Sequence, residues 1–177
     1  MGTVQHVVVM GVSGSGKSTI GELLAQKLGG TFIDGDFLHP ENNVAKMAAG
    51  IPLNDADRKP WLEAVGRRLA QAGDESLVIA CSALKKSYRD TIRTADPTVR
   101  FVLLDGPGEV IAERLGRRGG HFMPPTLLQS QLETLERLDP DESGIVLDIS
   151  EKPEEMVRKA AALLTTCAGS EDRPDRQ

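Results

Sequence analysis

Residues Gly11–Ser18 read GVSGSGKS, a complete G-x-x-x-x-G-K-[ST] phosphate-loop pattern. The glycines of such a loop let backbone N–H groups curl around phosphate oxygens, and the positive end of the following helix adds to the attraction. Lys17 would reach the β- and γ-phosphates, and the Ser18 hydroxyl would bind Mg²⁺. The pattern therefore predicts a purine-nucleoside triphosphate site with Mg²⁺, formed by Gly11, Ser13, Gly14, Ser15, Gly16, Lys17, Ser18 and Thr19.

The phosphate loop alone does not separate a kinase from a GTPase or an ATP-driven motor. The N-K-x-D pattern that reads a guanine base is absent from the chain. A motor usually carries an acidic residue at the end of the strand beside the phosphate-loop strand, but the run Leu77–Cys81 is followed by Ser82. Asp105 ends a strand that the pattern places further along the sheet, so we expect it to be a structural cap. Water-mediated metal contact is then expected from Asp34 or Asp36.

Two carboxylates, Asp34 and Asp36, follow the second apolar run. Residues at i and i+2 of a strand end point the same way, here toward the mouth of the sheet. Phosphoryl transfer to an alcohol needs a carboxylate that accepts the hydroxyl proton. We expect Asp36 to be this catalytic base and Asp34 to hold a metal-bound water. The alternative for each aspartate is an N-cap of the following helix.

Cationic side chains follow the same edge of the predicted sheet. Arg58 lies in the first turn of a predicted helix, where its guanidinium would hold a substrate carboxylate bidentately. An exposed ion pair with Asp55 or Asp57 is the alternative. Ser82, Lys85 and Arg89 fall near one helical face after the third strand, although a solvated face would also explain the lysines. Two neighbours are expected to be structural: Trp61 as core and Cys81 as a buried, inert thiol.

Residues 114–125 contain three arginines, two consecutive glycines and two prolines. This composition predicts a mobile lid that closes over the γ-phosphate, excludes water and supplies positive charge. Arg114 and Arg118 are the expected phosphate contacts, and His121 would donate to a phosphate or a substrate hydroxyl. The alternative is an exposed basic loop.

Short β-branched runs alternate with longer amphipathic stretches, which predicts an open α/β sheet with helices on both faces. Two runs, HVVVMGV and LVIAC, are apolar without alternation, as in strands of a parallel sheet that is buried on both faces. Ligands bind such sheets outside the carboxyl ends of the strands. The predicted strands are His6–Val12, Thr31–Asp34, Leu77–Cys81, Val99–Asp105 and Gly144–Ile149. The predicted helices are Lys17–Leu28, Asp55–Ala72, Leu84–Ala95, Val110–Arg118, Pro125–Leu138 and Pro153–Leu164.

The length of 177 residues and the hydrophobic content of 40% predict one folded domain, over residues 1–167. Residues 168–177 are expected to form a disordered tail. The net charge of −5 and the absence of a basic block argue against nucleic-acid binding. No apolar run approaches the roughly 20 residues that span a bilayer. Two distant cysteines and no signal sequence favour the cytoplasm.

Beyond the phosphate loop, four further segments together resemble the bacterial-type gluconokinase family of P-loop small-molecule kinases. These are DGDFLHPENN at Asp34–Asn43, KMAAGIPLNDADRKPWL at Lys46–Leu62, ACSALKKSYRD at Ala80–Asp90 and RRGGHFMPPTLLQSQLETLE at Arg117–Glu136.

The resemblance implies ATP- and Mg²⁺-dependent phosphorylation of D-gluconate at its 6-hydroxyl, which gives 6-phospho-D-gluconate and ADP. It also implies a three-layer, shikimate-kinase-like fold with a five-stranded parallel sheet and a lid, and often a homodimer. By this resemblance the catalytic residues are Lys17, Asp36 and Arg118. The implied substrate-binding residues are Asp36, His39, Arg58, Ser82, Lys85, Arg89 and His121.

Two other functions stay open at this point. A kinase of the same fold for shikimate or a nucleoside monophosphate is not expected to carry the HPENN and DRKPW segments. A nucleotide-dependent binding protein without catalysis would not need Lys17, Asp36 and the lid arginines together. Acid-dependent release of ADP distinguishes a kinase from a binding protein.

Overall fold

The computed structural model describes residues 2–117 and 125–166, and within them a five-stranded, all-parallel sheet. The predicted α/β class and the five-stranded sheet are confirmed, and the strand order is β2-β3-β1-β4-β5. Each predicted strand is present, with bounds β1 His6–Met10, β2 Thr31–Asp34, β3 Leu77–Ala80, β4 Arg100–Asp105 and β5 Gly144–Asp148. The register aligns Val9 of β1 with Ala80 of β3 and with Val102 of β4.

Seven α-helices flank the sheet within the described residues, and a 3₁₀ turn at Gly35–Leu38 follows β2. The helices are α1 Lys17–Leu28, α2 Glu41–Ala48, α3 Asp55–Gln71, α4 Lys86–Ala95, α5 Gly108–Arg117, α6 Pro125–Thr134 and α7 Pro153–Thr166.

The two faces of the sheet carry separate hydrophobic cores, because successive strand residues point to opposite sides. Val7 and Val9 of β1 face a core that α1 and α7 cover. Val8 and Met10 face the other core, which α3 and α4 cover with Trp61 and other side chains. The sheet is therefore the middle of three layers, and its central strands β3, β1 and β4 are buried on both faces.

The structure differs most from the sequence-based prediction in three places, and the other bounds agree within two residues. Helix α2 and the preceding 3₁₀ turn were not predicted, and α6 ends at Thr134 rather than at Leu138. The placement of the strand that ends in Asp105 was wrong, because β4 lies directly beside β1. Asp105 does act as a cap, since its Oδ1 accepts a hydrogen bond from the Gly106 N–H and its Oδ2 contacts Arg137. Among the described residues, no helix is long and apolar enough to cross a membrane.

Candidate active site

The phosphate loop connects β1 to α1 at the carboxyl edge of the sheet. Its glycines have positive φ angles: +147° at Gly11, +82° at Gly14 and +98° at Gly16. A Cβ on Gly11 would lie 2.8 Å from the Ser15 Oγ and 3.0 Å from the Leu104 carbonyl oxygen. A Cβ on Gly14 would lie 2.6 Å from the Leu115 side chain. The loop is therefore packed tightly against its neighbours, and only glycine fits at these positions.

Two side chains of the loop fit a phosphate ligand. The Lys17 Nζ donates to the carbonyl oxygens of Gly11 and Val12, both at 3.0 Å, which holds the ammonium group at the mouth of the loop. The Ser15 hydroxyl is 1% exposed and has no hydrogen-bond partner among the described residues. A buried, unpaired hydroxyl is costly, and a ligand or water oxygen at the loop would satisfy it. Ser18 and Thr19 are exposed at the start of α1, beside the same loop.

A cavity of about 180 Å³ adjoins the outer side of the phosphate loop. The Arg114 side chain closes one wall and donates to the Ile149 carbonyl oxygen. The other walls come from the loop, from α1 and from the start of α7, through Gly14, Ser15, Gly16, Thr19, Ile20, Glu151, Pro153 and Met156. Apolar surface, one guanidinium and a phosphate loop at one end together suit the nucleoside part of a nucleotide.

Asp34 and Asp36 lie on the other side of the loop, as their position after β2 predicts. The Asp34 Oδ1 accepts a hydrogen bond of 3.0 Å from the Asp36 N–H, so Asp34 caps the 3₁₀ turn. Asp36 is exposed, but the chain around it partly desolvates its carboxylate, which raises its pKa. The charge of Asp34 raises it further, while His39 and Lys17 lower it less. A carboxylate with a raised pKa accepts a proton more readily than an ordinary aspartate, which suits a general base.

His39 is held between an aromatic ring and an amide. Its ring stacks on Trp61 with centroids 4.1 Å apart and an interplanar angle of 15°. The Asn43 side-chain amide donates to the Asp57 carbonyl oxygen at 2.8 Å and lies 3.2 Å from the His39 Nδ1. Burial lowers the pKa of His39, and Arg58 lowers it further against the opposing charge of Asp36. A neutral ring whose Nδ1 accepts from Asn43 carries its proton on Nε2, as a donor.

Trp61 is 4% exposed, which confirms the prediction that it belongs to the core, and its Nε1–H donates to the Gly35 carbonyl oxygen at 2.8 Å. Cys81 is also buried as predicted, and burial raises the pKa of its thiol to about 12. The thiol stays protonated at neutral pH and is a poor nucleophile.

Arg58 and Lys85 both lie beside Tyr88, a residue to which the sequence analysis assigned no role. The Arg58 Nη1 lies 3.5 Å from the Tyr88 hydroxyl, which donates to the Asp55 Oδ1 at 2.5 Å. The Lys85 Nζ lies 3.4 Å from the Asp55 carboxylate. Asp57 pairs instead with Lys46 at 2.8 Å. The charged groups of Arg58 and Lys85 therefore lie 5.7 and 5.5 Å from the Tyr88 ring centre, at the acceptor side.

Arg89 is not a substrate-binding residue in this structure. Its side chain is fully buried, and two of its nitrogens bind the Glu142 carboxylate at 2.6 and 3.0 Å. Its remaining N–H groups donate to the carbonyl oxygens of Ala83, Leu84 and Arg137. All five donors of the guanidinium are used, so none is left for a ligand. The prediction failed because the pairing carboxylate lies 53 residues away in the sequence.

Arg89 instead supports the loop after β3. It holds the backbone at Ala83, which has a φ of +42° although it is not a glycine. The adjacent Ser82 contributes its carbonyl oxygen, which accepts a hydrogen bond of 3.3 Å from the Gly11 N–H. The acceptor-side loop and the phosphate loop are thus joined through their backbones.

The predicted lid is described only at its two ends. Arg114 lines the cavity beside the phosphate loop, and Arg117 is exposed and pairs with Glu113. Arg118 and His121 lie outside the described residues.

Comparison with known proteins identifies the family. The family model for shikimate kinase matches residues 13–164. The thermosensitive gluconokinase of Escherichia coli K12 is 52% identical over 153 residues, which cover 82% of this chain and 80% of that one. The thermoresistant gluconokinase of the same organism is 46% identical over 164 residues, covering 89% of this chain and 94% of that one. The chain belongs to the gluconokinase family.

A solved structure of a gluconokinase from Sinorhizobium meliloti 1021 superimposes with a TM-score of 0.86 at 47% identity, covering 97% of this chain and all of that one. The resemblance that the sequence motifs indicated is confirmed. As a member of the gluconokinase family, the chain is a P-loop kinase that uses ATP.

Proposed function

We propose that this chain transfers the terminal phosphoryl group of ATP to the 6-hydroxyl of D-gluconate and releases 6-phospho-D-gluconate and ADP. One observation carries the proposal: a phosphate loop and a carboxylate of raised pKa, Asp36, share one edge of the sheet in a chain about half identical to gluconokinases. The loop would hold the donor, and Asp36 would hold the acceptor.

The proposed reaction moves one proton and one phosphoryl group. Asp36 accepts the proton of the 6-hydroxyl, whose oxygen bonds to the terminal phosphorus, and the bond from that phosphorus to the bridging oxygen of ADP breaks. The backbone N–H groups of the loop and the Lys17 ammonium stabilise the charge on the phosphates. Arg118 would add positive charge from the lid.

Mg²⁺ is part of the proposal because the donor set suits it. Hard cations prefer oxygen ligands, and the Ser18 hydroxyl is exposed beside the loop, with Asp34 as the water-mediated contact. When bound, Mg²⁺ would supply positive charge that offsets the negative charge of the phosphates.

The carboxylate of gluconate needs a cationic pocket at the opposite end of the substrate from its 6-hydroxyl. Arg58 and Lys85 supply two positive charges around Tyr88, against the single negative charge of Asp55, and both lie at the acceptor side of the site. We assign the carboxylate to Arg58 and Lys85 and the substrate hydroxyls to His39, Ser82 and the lid residue His121.

Three features expected from the sequence and the family resemblance remain predictions of this proposal. The chain acts in the cytoplasm, it forms a homodimer, and residues 114–125 work as a lid. Sedimentation velocity at two protein concentrations measures the oligomeric state.

A coupled ADP-release assay with Mg·ATP tests the function against gluconate, shikimate, glucose and AMP. Turnover on gluconate alone supports both the reaction and the carboxylate pocket. Turnover on glucose as well contradicts the assignment of the carboxylate to Arg58. The proposed function is wrong if the protein binds ATP but turns over none of the four.

A further inference from the structure

Gln131 of α6 contacts the phosphate loop across 118 residues of sequence. Its Oε1 accepts a hydrogen bond of 2.8 Å from the Ser13 N–H, and its Nε2 donates to the Ser13 Oγ at 3.2 Å. A single amide thus binds both the backbone and the side chain of one loop residue. The family resemblance assigned no role to Gln131.

The chemistry of the two contacts fixes their direction. A backbone N–H can only donate, so the Gln131 atom that faces it is the oxygen, and the amide nitrogen faces the hydroxyl. An amide nitrogen can only donate, so the Ser13 Oγ accepts there. The hydroxyl must then direct its own hydrogen away from Gln131.

The hydroxyl hydrogen of Ser13 lies in a loop whose residues on either side of Ser13 are held by contacts. Gly14, the next residue, is packed against Leu115, and the Lys17 ammonium binds the carbonyl oxygen of Val12, the residue before. Ser13 therefore stands beside the lysine that reaches toward the terminal phosphates. A hydroxyl donor beside this lysine would reach the terminal phosphoryl group, which ATP has and ADP lacks.

We propose that Gln131 is a positioning residue for ATP, which fixes the Ser13 hydroxyl as a hydrogen-bond donor to the terminal phosphoryl group. Gln131 itself does not touch the nucleotide. The proposal rests on the use of ATP and not on the identity of the acceptor, so its test needs no gluconate.

The test compares the affinities for a non-hydrolysable ATP analogue and for ADP, each with Mg²⁺, by isothermal titration calorimetry. Gln131→Met keeps the length and helix propensity of the side chain and removes both contacts. We expect the affinity for the ATP analogue to fall on the order of tenfold, since a hydrogen bond to a charged phosphate is lost. The affinity for ADP should change by less than about twofold.

Gln129→Met is the matched control. Gln129 lies on the same helix, is exposed, and bonds only to Glu133 among the described residues. We expect both affinities of this variant to equal those of the parent protein.

Ser13→Ala gives a second, independent test, because it removes the hydroxyl and keeps the backbone contact to Gln131. Ser13→Ala should lower the affinity for the ATP analogue relative to ADP by the same factor as Gln131→Met. The double variant should bind the ATP analogue only slightly more weakly than Ser13→Ala alone. Equal losses for ADP and the ATP analogue would mean a general distortion of the loop and overturn the proposal. Unchanged affinities in both single variants would also overturn the proposal. So would a double variant whose fold-loss in affinity for the ATP analogue equals the product of the two single losses.

Discussion

The phosphate side and the acceptor side of the site are built in different ways. The phosphate loop owes its shape to backbone geometry, with three glycines at positive φ. The acceptor side owes its shape to contacts between side chains, such as the stack of His39 on Trp61 and the bond from Tyr88 to Asp55. Substitutions that add atoms should therefore impair the phosphate loop, whereas substitutions that remove side-chain groups should impair the acceptor side.

The largest effect is expected at Asp36. Asp36→Asn keeps the size of the side chain but removes the proton acceptor, so kcat should fall by about 10²- to 10⁴-fold while ATP affinity stays close to that of the parent. Steady-state kinetics and calorimetry measure the two quantities. Asp74→Asn, at an exposed position, is the control. A kcat within about threefold of the parent would remove Asp36 from the role of base.

The support beneath the acceptor loop is the next most sensitive point. Arg89→Met removes two hydrogen bonds to the buried Glu142 carboxylate, which keeps only Arg93 among the described residues, and leaves three backbone carbonyl oxygens without this donor. We expect the free energy of unfolding to fall by about 3–5 kcal/mol. Urea unfolding measures it, and Arg67→Met, on the exposed face of α3, should change it by less than about 0.5 kcal/mol. A loss for Arg89→Met as small as that of the control would contradict this structural role.

Gly11→Ala tests the steric limit of the phosphate loop. The new Cβ would lie against Ser15 and the Leu104 carbonyl oxygen, so the loop must shift and ATP affinity should fall by tenfold or more, on the order of 1.4 kcal/mol. Gly73→Ala shares the positive φ but has open space around its Cβ. This control should lose some stability and no ATP affinity. Equal affinities in the two variants would show that packing does not limit the loop.

Arg58→Ala should mainly weaken gluconate binding. In the proposed site the guanidinium would contact the acid in both the ground state and the transition state, so KM for gluconate should rise on the order of tenfold with a smaller change in kcat. Arg67→Ala on the same helix is the matched control and should leave both constants unchanged. An unaltered KM in Arg58→Ala would place the substrate carboxylate elsewhere.

The smallest effect concerns pH. Asp36 must be deprotonated to act as a base, and partial desolvation raises its pKa, so kcat/KM should fall on acidification at a higher pH than an ordinary aspartate would give. Burial lowers the pKa of His39, so His39 gains its proton at a lower pH than an ordinary histidine does. A pH–rate profile tests this, and its acid limb should be missing in Asp36→Asn. An acid limb at the usual range of an aspartate would contradict the raised pKa.

Local signals predicted the phosphate side well. The bounds of α1 at Lys17 and Leu28 were correct because Gly16 and Gly29, both at positive φ, start and stop the helix. The central strands were correct because apolar runs buried on both faces have few other structures available. Helix α2 was missed since two of its apolar residues, Val44 and Met47, are exposed and give no core-facing periodicity.

The acceptor side was predicted less well, because its contacts join residues that are distant in the sequence. Arg89 was assigned to the pocket because nothing near it in the chain reveals Glu142. Tyr88 and Asp55, 33 residues apart, were not paired for the same reason. The position of β4 beside β1 was also missed, because the sequence of one strand does not determine which strands lie next to it in the sheet.

The pair of Arg89 and Glu142 has a consequence for protein engineering. Residues 82–89 form one contiguous segment at the acceptor side, which suggests exchanging it between kinases to alter acceptor preference. Their backbone, however, rests on an arginine whose counter-charge sits in the segment before β5. A chimera that exchanges residues 82–89 for a sequence without this arginine would leave the buried acid at position 142 with only Arg93 as its cationic partner among the described residues, so the two positions have to be transplanted together.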